Sequence, residues 1–177
     1  MNSPTKTLFR QWILLTATAA FLLLGITTAN AHQFYDGGYC SRTIGISTAN
    51  VNSSWSSWAG ASMSSWNNAG VSASIAAGGA YANCMSTADL SPSFLGVYEP
   101  LTYTSKASHR TTKFRIRLNT DYNGEDGLTK RWTIVHELGH ALGVGHEEIA
   151  AANMRSFESS YYYPTTDDKN AVIAAWR

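Results

Sequence analysis

Three of the chain's five histidines fall within eleven residues, "HELGHALGVGH", from His136 to His146. Neutral imidazole is a common metal ligand, and spacing decides whether several can serve one ion. His136 and His140 are four apart, so on a helix both project from the same face. Glu137 sits beside the first, where its carboxylate can reach a water on the ion without ligating it. A catalytic zinc site wants three protein ligands and one open position, so a third ligand must come from beyond the helix. A continuing helix would carry residue 146 onto another face. Gly143 and Gly145 remove that difficulty, because glycine tolerates the left-handed backbone that stops a helix and turns the chain. The run thus spells ligand, base, ligand, turn, ligand. A bare H-E-x-x-H is a short pattern that recurs by chance. The full H-E-x-x-H-x-x-G-x-x-H is far more specific and leaves little room for a merely histidine-rich helix.

Something must hold this run in place. The pattern predicts a helix over 129–142, ended by Gly143. Upstream, Trp55, Trp58, Ala59, Met63 and Trp66 recur at helical spacing within the serine-rich stretch 53–68, which reads as an amphipathic helix with its aromatic stripe in the core. "SRTIGIST" (41–48), "VSASIAA" (71–77), "FLGVYEP" (94–100) and "KFRIRLN" (113–119) suit strands. The last alternates cleanly, with Phe114, Ile116 and Leu118 inward and Lys113, Arg115 and Arg117 outward. A final helix begins near Thr165, where Thr165 and Asp168 are spaced as a capping pair and Val172, Ile173 and Trp176 supply an apolar face. Strands with one early helix, then closing helices, predict an α+β domain.

The chain has 177 residues, 14% of them charged, and a formal net charge of +1. No basic run or arginine-rich face appears, which argues against a nucleic-acid partner. Residues 1–31 are set apart from the fold. Lys6 and Arg10 precede an uncharged, mostly apolar run, and Ala29-Asn30-Ala31 offers the small-x-small pattern of a signal-peptidase site. This reads as a signal peptide cut after Ala31, with an uncleaved anchor as the alternative. The expectation is a secreted domain over 32–177, free of the membrane once cut and monomeric. In an oxidising compartment the two cysteines, Cys40 and Cys84, are expected to pair. "DYNGEDG" (121–127) is a turn-rich loop. Its Asp121, Asn123, Glu125 and Asp126 could offer oxygens to a calcium ion, with a plain solvated turn the favoured reading.

The eleven-residue run resembles that of the metzincin zinc endopeptidases, matching at His136, Glu137, His140, Gly143 and His146. Metzincins also carry a methionine turn beneath the metal. Met154, eight residues after His146, resembles the matrixin branch, the matrix metalloproteinase-like catalytic domains, whereas Glu147 is more like the astacin branch. "SSWNNAGV", "LGVYEP" and "TTDDKNAVIAAW" also resemble matrixin segments. The resemblance implies a zincin-like fold. Its parts would be a twisted, mostly parallel five-stranded sheet, an active-site helix and a small C-terminal subdomain. It implies one catalytic zinc ion and a protein or peptide substrate. Glu137 would act as general base on a metal-activated water, and Met154 would be a floor under the ligands. Departures are visible. "GGYCSR" does not match a cysteine-switch propeptide. The remaining histidines, His32 and His109, do not suffice for a second, structural zinc site. "RSFESSYYYP" replaces the usual wall of the specificity pocket, leaving Phe157, Tyr161, Tyr162 and Tyr163 as candidates to line it. Two other readings remain open. One is a secreted zinc-binding or partner-binding module derived from a protease, which would not need the intact Glu137. The other is a peptidase acting on cell-wall crosslinks.

Overall fold

Alternation of apolar and polar residues fixes which side of each strand is buried, and the strand over 111–119 shows it best. In strand β5 (Thr111–Asn119) Phe114, Ile116 and Leu118 are fully buried. Arg115 and Arg117 turn to the other face and both pair with Glu99 of the neighbouring strand. The computed structural model describes residues 35, 37–78, 80–104, 110–147 and 151–177. All lie within the unit His32–Arg177. The stretch 1–31, read as an export signal, lies outside the described residues, as do His32 and His109.

The order of elements is β1 (Thr43–Asn50), α1 (Ser53–Asn67), β2 (Ser74–Gly78), β3 (Asn83–Ala88), β4 (Gly96–Tyr103), β5, α2 (Gly127–Ala141) and α3 (Thr166–Ala175). The strands form one sheet in the order β2-β1-β3-β5-β4. Its pairings are parallel except for β4, which runs antiparallel to β5 and forms an edge. The architecture is α+β, with a mostly parallel five-stranded sheet and three helices. Among the described residues no helix is long and apolar enough to cross a membrane.

The aromatic stripe of α1 is core. Trp55, Ala59, Met63 and Trp66 are buried and Trp58 packs against them. The Trp66 indole donates to the carbonyl of Val135 at 2.8 Å, which ties α1 to α2. Helix α2 starts two residues before its expected first residue because the Asp126 side chain accepts from Thr129 N–H and caps it. From Trp132 to Ala141 every residue of α2 is buried, as a helix lying under the sheet edge and beneath later loops requires.

Three expectations are corrected here. Strand β3, "NCMSTA", was not among the segments that suited strands. It carries one β-branched residue and no aromatic, and only its central place in the sheet makes it a strand. Strand β2 begins at Ser74, not Val71, because Gly70 (φ +77°) and Ser72 (φ +56°) spend the preceding residues on a turn. In α3, Ile173 is 36% exposed, and Ala171 takes the buried place beside Val172. The Thr165–Asp168 capping pair forms as read, with each side chain accepting from the other residue's backbone N–H.

Candidate metal centre

The turn after α2 does what the two glycines allow. Gly143 sits at φ +93°, the backbone leaves the helix axis, and His146 returns to the helical histidines. His136 Nε2 and His146 Nε2 stand 3.2 Å apart. One ligating nitrogen from each of His136, His140 and His146 lies within 4.8 Å of the other two. Two nitrogens bound to one ion at 2.0–2.1 Å with a tetrahedral angle stand about 3.3 Å apart. One pair therefore has the spacing of two histidines on a single zinc ion, and the trio would close by at most about 1.5 Å to share it. His136 and His140 are buried, whereas His146 is exposed at the cleft.

Hydrogen bonds on the far side of the two helical rings fix the tautomer of each. His140 Nδ1 lies 2.8 Å from the carbonyl of Val144 and His136 Nδ1 lies 3.2 Å from that of Asn153. A carbonyl only accepts, so each Nδ1 carries the proton and each Nε2 keeps a free lone pair. Burial, reinforced by the neighbouring histidines, drives His136 well below its usual range. Burial also takes His140 down to about 4. Both are neutral bases at neutral pH, which is the form that binds a metal. This donor set fits a zinc ion.

Glu137 points off the same helix toward β4. Burial raises its carboxyl to about 8, against the pull of the Tyr98 backbone N–H that it accepts. A dication beside it favours the carboxylate form. Gly96 makes room for this contact, since a Cβ there would stand 2.8 Å from Thr133 Cγ2 and 3.2 Å from Glu137 Oε1. Met154 is fully buried, with its sulfur against Gly139, which lies between the two helical histidines in sequence. A Cβ on Gly139 would come within 2.2 Å of that sulfur, so the glycine inside "HELGH" is a packing requirement. Met154 is held by Asp168, whose fully buried carboxylate accepts from the N–H groups of Asn153, Met154 and Thr165 and from the Thr165 hydroxyl.

A cleft of about 610 Å³ opens on this centre. His136, Glu137, His140 and His146 form its floor, residues 94–98 of β4 and its approach form one wall, and Phe157 and Glu158 form part of the other. Tyr35, from the segment before β1, also lines it, with its ring 4.9 Å from that of His140.

No family model matches the chain. A segment of 61 residues is 36% identical to proteins of Spodoptera frugiperda ascovirus 1a and Heliothis virescens ascovirus 3e. Each bears the name "Putative matrix metalloproteinase". The match covers 30% of this chain, and 16% and 13% of the two viral proteins. The matched segment is metalloproteinase-like. In fold, the chain is similar to one in the solved structure "GM1 bound form of the ECX AB5 holotoxin", with a TM-score of 0.57 at 13% identity, over 77% of this chain and 81% of that one.

Several sequence-predicted residues lie elsewhere than expected. Of the four pocket candidates only Phe157 borders the cleft, 54% exposed, with the Arg155 guanidinium 3.9 Å from its ring centre. Tyr161 is half-buried and its carbonyl accepts from Asn153 Nδ2. Tyr162 faces a separate shallow pocket with Asp126 and Glu158, and Tyr163 is 54% exposed. Their place beside the cleft is filled by Phe94, Trp132 and Tyr122.

The expected disulfide is absent, and Cys40 and Cys84 are both free thiols. Cys40 follows the bridge between Tyr39 and Thr111, whereas Cys84 pairs with Arg115. The two are separated by three or four residue steps along β5, about 10–13 Å at the rise of a strand. A disulfide needs Cα atoms within about 7 Å.

The calcium candidates do not converge either. Among the described residues His136, His140 and His146 form the only group of three or more ligating side chains. Asn123 Oδ1 accepts from Asn52 Nδ2 and the Trp55 indole, while Asp126 caps α2.

Sequence reasoning missed Asn153, Trp132 and Gly96. The Asn153 carbonyl accepts from both His136 Nδ1 and the Trp132 indole. The one signal was position: Asn153 directly precedes the methionine.

Proposed function

We propose that the protein is a secreted zinc-dependent endopeptidase. The observation that carries this reading is the convergence of three imidazole nitrogens at the floor of a cleft, the two helical ones neutral, with a buried carboxylate beside them. His136, His140 and His146 would hold the ion. When bound, zinc supplies a Lewis acid that polarises a carbonyl and acidifies water.

The chain's own residues do the rest. Glu137 accepts the proton of the attacking water and delivers it to the leaving amine. Its position against β4 keeps that carboxylate from swinging into the ligand set. Strand β4 is an edge, so an extended peptide could pair along its outer side, apart from the Tyr98 N–H that Glu137 already accepts. A peptide added there would run along the wall of the cleft, with its backbone carbonyls passing Glu137. An edge strand and an open cleft favour an internal peptide bond over a chain terminus as the point of attack. Zinc as the one catalytic ion, a protein or peptide substrate, a monomeric state and export by residues 1–31 belong to the same reading.

The test is cleavage of casein and a mixed peptide library by the purified protein, with and without phenanthroline. Chelator-sensitive cleavage restored by added zinc is expected. A zinc-loaded protein that cleaves nothing would replace this reading with a binding module.

A further inference from the structure

The last turn of a helix leaves its carbonyls without partners inside the helix. At the end of α2 four successive carbonyls are each matched from elsewhere. Tyr39 N–H donates to Ala141 at 2.8 Å, and Tyr35 N–H donates to Gly143 at 3.0 Å. The Trp176 indole N–H donates to Leu142 at 2.9 Å. His140 Nδ1 donates to Val144 at 2.8 Å. Two of these donors belong to the segment before β1, and a third is the residue that follows α3. The Arg110 guanidinium links them. It lies 4.3 Å from the Trp176 ring centre and donates to the carbonyls of Tyr39 and Ala175. Gly38 packs so tightly on this turn that a Cβ there would come within 2.5 Å of Gly143 Cα.

We propose that Tyr35, Gly38 and Tyr39, with the side chain of Trp176, are positioning elements for His146. A glycine at φ +93° permits the turn but does not choose the direction in which the chain leaves it. A turn left loose would have to be ordered each time a ligand set closed on an ion. Hydrogen bonds at residues 141–143 order it beforehand, so the third nitrogen waits where the other two can share an ion with it. This rests on the reading of the three histidines as metal ligands.

The experiment measures zinc affinity by competition with a chromophoric chelator, together with the visible spectrum of the cobalt(II)-loaded protein. Trp176→Phe removes the indole N–H and keeps an aromatic ring against Arg110. It is expected to weaken zinc binding by about tenfold, at the lower end of what loss of a ligand-orienting partner does. The cobalt spectrum should move part-way toward that of His146→Ala. In a His146→Ala background, adding Trp176→Phe should change zinc affinity little, because the ligand it positions is gone. An equal loss in both backgrounds, or no loss in the first, overturns the inference. Gly38→Ala, which pushes the preceding segment off the turn, carries the same comparison if Trp176→Phe does not fold by circular dichroism. Wild-type protein that takes up no zinc overturns the metal reading and this inference together. Wild-type protein that binds zinc and cleaves nothing overturns only the proteolytic reading.

Discussion

The loop 121–127 and the run 136–146 both crowd metal-friendly side chains into a short length of chain, and the fold uses them in opposite ways. In the run, hydrogen bonds fall on the far side of each helical ring and leave one nitrogen of each facing inward. In the loop, two of the four candidate side chains are themselves acceptors. Asn123 is taken by Asn52 and Trp55, and Asp126 by Thr129. A donor becomes a ligand only when its remaining lone pair is both free and aimed at a point that others share. The loop holds the start of α2 in place, and the run uses the end that this placement makes possible.

The contrast can be broken or sharpened at four points. The largest effect is expected at the run. Glu137→Gln should lower kcat by about 10²–10⁴-fold while zinc stoichiometry stays at the wild-type value. Retained turnover in that variant would remove Glu137 from its role. Next is the carboxylate beneath the methionine. Asp168→Ala leaves three backbone N–H groups and a hydroxyl without their acceptor, at a cost on the order of 3 kcal/mol in urea unfolding. Gly143→Ala forces a Cβ into the left-handed region and should cost about 1–2 kcal/mol, with weakened zinc binding in the same protein. The smallest effect belongs to the loop. Asp126→Ala should lower the thermal midpoint by a few degrees through the lost cap, with zinc affinity unchanged. Millimolar calcium should leave the midpoint of the wild type where it was. A calcium-dependent rise would show that the loop's oxygens do gather on an ion.

The site was more legible than the sheet. Four-residue spacing on a helix and a glycine after it are local geometry, so the histidine run could be read without tertiary information. The same is true of Trp55, Met63 and Trp66, whose stripe survives in the structure. Strand β3 was invisible because its burial comes from neighbours on both sides and not from its own residue types. The tyrosines 161–163 failed as pocket residues for a related reason. Aromatic content predicts burial or contact somewhere, but only the path of the chain after Met154 decides where. The cysteine pairing failed on distance along β5, which no count of cysteines contains.

The contact between Gly139 and Met154 restricts how this domain can vary. Side-chain volume is shared across it, so a methyl group gained at position 139 has to be given up at position 154. Substitution at either position alone is expected to disturb the histidines of α2 beside it. Paired substitutions that conserve the combined volume are the ones a library should recover.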